Sequence, residues 1–83
     1  MEPLVLTADL LERYFRSQGQ RSLAAGVVVC MISPERVDDV DGLQIAALGY
    51  HMHRAIQELA PDAIEVKLAL LYGRIQRRMG GLS

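Results

Sequence analysis

Eighty-three residues are 51% hydrophobic but only 5% aromatic, with nine basic against ten acidic residues and a net charge of −1. That length makes one small domain, 1–83, with a core of Leu, Ile, Val, Ala and Met. The near-neutral balance argues against a protein that lives on nucleic acid or on an anionic membrane, since such domains are clearly basic.

A small domain has much surface for its volume, so this hydrophobic fraction is hard to hide in a monomer and easier to hide in an oligomer or a complex. The single cysteine, Cys30, forms no internal disulfide and sits among Val28, Val29, Met31 and Ile32, which reads as a packed thiol in a reducing compartment. No apolar run reaches the ~18 residues of a membrane span; the longest is residues 23–32. Met1-Glu2-Pro3 lacks the positive region of a secretory signal. A cytoplasmic protein is expected.

Residues 1–6 read as an extended lead-in that brings Leu4, Val5 and Leu6 to the core. Thr7 is an N-cap signal and Asp9 suits the positive end of a helix dipole. Leu10, Leu11, Tyr14 and Phe15 fall on one side, with Glu12, Arg13 and Arg16 on the other. Gly19 ends this helix, placed at 8–18, in a left-handed turn.

Residues 22–32 admit two readings. Ser22 and Leu23-Ala24-Ala25 favour a helix, whereas Val27-Val28-Val29 is β-branched and suits a buried strand. A strand needs a partner, only residues 4–6 also read as extended, and a two-stranded sheet is marginal. Helix is the expectation; apolar on all sides, it would be the central, buried one.

Ser33-Pro34-Glu35 is a helix start signal, read as one turn followed by a connection. Asp41 caps a helix over 41–59 whose stripe is Ile45, Leu48, Met52, Ala55, Ile56 and Leu59. Pro61, Asp62 and Glu65 open a last helix over 62–79 with the stripe Ile64, Leu68, Leu71, Ile75 and Met79. Gly80-Gly81 stops it, leaving a short tail at 80–83. Isolated Gly26, Gly49 and Gly73 suit close helix–helix approach.

Each of the last two helices has a second apolar patch: Leu43, Ala47 and Tyr50 on one, Val66 and Leu70 on the other. These are the candidate partner interface. Lys67, Arg74, Arg77 and Arg78 gather basic charge at the C-terminal end; they are candidate phosphate contacts, or they solvate that face or meet the acids Asp38, Asp39 and Asp41.

Catalytic chemistry finds little support. His51 and His53 are two apart, a spacing that separates them around a helix, and Glu58 is badly placed to join either. The cluster Asp38, Asp39 and Asp41 lacks the alternation and closing glutamate of a calcium loop, and reads as capping and solvation. No Ser-His-Asp order or phosphate-cradling glycine loop is present. No metal, cofactor or small-molecule substrate is expected, and no enzyme; a subunit lending Tyr50, His51 and His53 to a shared active site is the remaining enzymatic reading.

Residues 54–63 resemble the junction between tetratricopeptide repeats, an Ala-containing helix ending in a short turn with proline. Lys67, Leu68, Leu71 and Tyr72 do not keep the spacing that opens a further repeat, so the stretch reads as an ordinary helical hairpin. The fold expected is all-α, three to four antiparallel helices with one short or irregular. The expected role is a non-catalytic protein–protein interaction module, an adaptor, regulator or chaperone-like subunit in a homo-oligomer or hetero-complex. The alternative is a nucleic-acid-associated regulator using the basic helix end.

Overall fold

The computed structural model describes residues 2–80. The fold is a small all-α bundle with one tiny parallel strand pair. Its elements in chain order are β1 (Val5–Leu6), α1 (Ala8–Ser17), α2 (Arg21–Ile32), a 3-10 helix (Pro34–Asp39), α3 (Gly42–Leu59), β2 (Ala63–Ile64) and α4 (Val66–Gly80).

Local signals fix α1 and α3. The Leu10 amide donates to Thr7 Oγ1 at 3.2 Å, and Gly19 takes φ 76° immediately after the helix ends, both as read from the sequence. The Leu43 amide donates to Asp41 Oδ1 at 2.7 Å, so Asp41 caps α3. At its far end Ala60 takes φ 42°, ψ 57°, and its amide donates to the Ile56 carbonyl. A left-handed residue before proline is a usual way to stop a helix, though glycine normally occupies it.

Residues 22–32 are helical and pack against α1, the 3-10 helix and α4, but are not buried on all sides. α2 buries Ala24, Val27 and Cys30 and leaves Val28, Val29 and Ile32 in solvent. The expectation of all-round burial fails because a chain this small has too few neighbours to surround one helix. Its N-cap is Gln20 rather than Ser22, and it makes no side-chain capping bond. The Ser33-Pro34-Glu35 signal opens a 3-10 helix, with Ser33 making no side-chain cap.

The last helix begins later than expected, at Val66. Residues 61–65 instead turn back onto the lead-in. The Asp62 carboxylate accepts from the Leu4 amide at 2.6 Å, and the Asp62, Ala63 and Glu65 amides donate to the carbonyls of Leu4 and Leu6. β1 and β2 thus pair in parallel, Val5 opposite Ala63 and Leu6 opposite Ile64. The aspartate that reads as a helix-start residue is satisfied by a segment 58 residues away. Asp62 therefore ties down the N-terminal strand, and Leu6 enters the core at 1% exposure.

The core takes Leu11 and Phe15 from α1, Ile45, Leu48, Met52 and Ala55 from α3, and Leu68, Leu71 and Ile75 from α4. These belong to the predicted stripes, of which Tyr14, Ile56, Leu59, Ile64 and Met79 are only half-buried against the core and Leu10 is exposed; Val37 of the 3-10 helix is added. α3 and α4 pack as an antiparallel hairpin: a Cβ at Gly49 would lie 3.2 Å from Ile75 Cγ2 and closer still to the Met79 sulfur. Further along, His53 Nδ1 is 3.1 Å from the Tyr72 hydroxyl. The close-approach role expected of three glycines therefore belongs to Gly49 alone. A Cβ at Gly26 meets nothing, and one at Gly73 only ordinary contact. Met1 and residues 81–83, which include most of the expected tail and Gly81 of the stop signal, lie outside the described residues.

Candidate interaction surface

The helix phases decide what is left in water. On α3, burying Ile45, Leu48 and Met52 turns Leu43, Ala47 and Tyr50 to the opposite side, and all three are exposed. On α4, burying Leu68, Leu71 and Ile75 does the same for Val66 and Leu70. Four aliphatic side chains stand far out in solvent: Leu43 at 82%, Ile32 at 78%, Val66 at 73% and Leu70 at 68% exposure.

The five predicted interface residues do not form one patch. Leu70 lines a cleft of about 480 Å³ between the end of α2, Pro34 and α4. Ala47 lines a second, of about 420 Å³, against Leu23 and Gly26 of α2. Tyr50 lines a third, of about 340 Å³, with His53, Tyr72 and Met79 between α3 and α4. Leu43 in the first turn of α3 and Val66 at the start of α4 sit at opposite ends of the hairpin, because Gly49 lies beside Met79 and His53 beside Tyr72. The sequence reading missed Ile32 and its neighbours Val28 and Val29. A signal was available: a helix apolar on every side cannot bury every side in a domain of this length.

The predicted basic cluster divides. Arg78 is half-buried; its guanidinium donates to the Val37 carbonyl at 2.7 Å and to the Val40 carbonyl. It holds the end of the 3-10 helix and is committed to the fold. Arg74 pairs with Asp38 at 3.0 Å, one of the three alternatives given above for this cluster. Lys67 and Arg77 are exposed and make no ion pair among the described residues. With Arg74 they line the first cleft beside the exposed Leu70, over the buried Cys30 and Leu71 and the half-buried Met31.

Asp41 caps α3, which accounts for a further member of the acidic cluster. Tyr50 and His51 meet edge to face with ring centroids 5.3 Å apart, whereas His53 turns to Tyr72. The two histidines thus take different partners and do not converge. Among the described residues, no group of three or more His, Cys, Asp or Glu side chains is placed to hold a metal ion. Cys30 is buried at the base of the first cleft. Burial pushes its thiol pKa up, and the positive charge of Arg36 offsets this in part. Burial also raises the Tyr72 phenol.

None of the described helices is long and apolar enough to cross a membrane. Comparison with known protein families, curated proteins and solved structures gives no match to the chain.

Proposed function

We propose that this chain is a cytoplasmic, non-catalytic protein–protein interaction module, a small adaptor, regulator or chaperone-like subunit. Its exposed apolar helix faces are buried against another copy or a different protein. The observation that carries this reading is the exposure of Ile32, Leu43, Val66 and Leu70 in a domain whose core is otherwise closed. Isolated surface leucines are ordinary; four large aliphatic side chains each more than two-thirds exposed on so short a chain are the surplus that supports this reading. Full burial of each is worth about 1.5–3 kcal/mol, a driving force the monomer leaves unused.

Replacing Leu43 and Val66 by glutamate is expected to leave the helical circular dichroism intact, because neither side chain touches the core. The same changes are expected to weaken assembly, read as mass by light scattering on a size-exclusion column. Assembly that survives both replacements contradicts the assignment of these faces. Nucleic-acid binding has thinner support: two of the four candidate phosphate contacts, Arg74 and Arg78, already have partners within the fold.

A further inference from the structure

The cleft between α2 and α4 differs chemically from the other two. Its floor is apolar, and one side carries cations in register: Lys67, Leu70, Arg74 and Arg77 follow one another at the three-and-four spacing of a single helix stripe. From Lys67 to Arg77 that stripe runs about 15 Å along α4 at the rise of an α-helix. Such a length matches almost three turns of a second helix laid in the groove. The acid that faces this stripe in the fold, Asp38, neutralises Arg74 alone, in a pair that both partners share with water. Exposed pairs of this kind are weak and readily exchanged. A chain of net charge −1 thus places two cations without an ion pair among the described residues, Lys67 and Arg77, beside one apolar trough, with Arg74 in an exchangeable pair between them.

We infer that this groove receives an amphipathic helix of a partner protein, its apolar stripe on Met31, Leu70 and Leu71 and its flanking glutamates or aspartates on Lys67, Arg74 and Arg77. This rests on the reading of the chain as an interaction module and names the partner's chemistry. Charge complementarity selects the occupant: an uncharged apolar helix leaves Lys67 and Arg77 unanswered, and a basic one is repelled. Nucleic acid would answer the cations but leave the apolar floor uncovered. No aromatic ring lines the groove to stack on a base. Helix-in-groove binding of this kind is read through anchors at successive turns, and Leu70 lies midway between the flanking cations Lys67 and Arg74.

The test is fluorescence anisotropy of the full chain with three synthetic helical peptides. Each carries one leucine stripe, edged with glutamate, glutamine or lysine. The glutamate peptide is expected to bind about tenfold or more tightly than its glutamine twin, with a preference that shrinks as salt rises. Leu70→Glu is expected to abolish binding with helix content unchanged, since that side chain is exposed. Lys67→Glu with Arg77→Glu is expected to transfer the preference to the lysine peptide. Equal binding of the glutamate and glutamine peptides, or no binding of either, overturns the proposal. So does a DNA duplex that displaces the glutamate peptide and binds more tightly. Failure here with assembly still sensitive to Leu43→Glu and Val66→Glu removes the groove and leaves the interaction module standing. A bound glutamate peptide with assembly insensitive to those changes keeps the groove and removes the other faces.

Discussion

Ala60 is the one described non-glycine residue with positive φ, at 42°. A Cβ in the left-handed region is strained, and glycine relieves it. Ala60→Gly is therefore expected to stabilise the fold by roughly 0.5–1 kcal/mol in chemical denaturation; a loss of stability would show that the turn into β2 needs the side chain. Cys30 carries the second residue-scale prediction. Its raised pKa keeps it a thiol at neutral pH, and thiolate is the reactive form. The native protein should react slowly with Ellman's reagent and quickly once unfolded; fast native reaction would mean that the cleft exposes the sulfur. The sign of the linked pH effect follows from the same shift. The unfolded thiol ionises first, so the stabilisation is whole below its ordinary pKa of 9.0 and declines as pH rises toward the folded value.

At the scale of elements, the chain has two kinds of boundary. Thr7, Gly19 and Asp41 act on amides or backbone angles within three residues of themselves, and all three were legible in the sequence. Asp62 is the other kind. Its residue type and position after Pro61 signal a helix start, yet its carboxylate serves the Leu4 amide, a partner no local pattern reveals. Asp62→Ala is expected to cost about 1 kcal/mol and to speed hydrogen exchange at the Glu65 amide, which donates to Leu6. Unchanged exchange there would mean that the strand pair does not depend on the side chain. α2 was legible as a helix but not in its orientation. Ala25, Val28, Val29 and Ile32 are as apolar as the residues it buries, so hydrophobicity along this helix carries no phase. Arg74 and Arg78 illustrate the same limit. Their spacing marks one face, and only the folded position of the 3-10 helix shows that the face meets Asp38, Val37 and Val40.

For the whole molecule, the described chain has a radius of gyration of 12.1 Å, close to the roughly 12 Å of a well-packed domain of this length. Its apolar surface is therefore not the result of loose packing: the core is closed and the excess lies outside it. The sequence showed the excess in its 51% hydrophobic content and placed five of the residues that carry it. It did not show that they divide among three clefts and the two ends of a hairpin, because that depends on the antiparallel register of α3 and α4. The central claim, that these faces serve another protein chain, is tested most directly by native mass spectrometry of the tagged chain recovered from the cells that produce it, beside the Leu43→Glu, Val66→Glu variant. The natural sequence is expected in a complex of defined mass, with itself or with another protein, and the same variant carrying Leu70→Glu as well, which removes the groove's apolar anchor, is expected as the free chain of 9.2 kDa plus tag. Recovery of both as the free chain would contradict it.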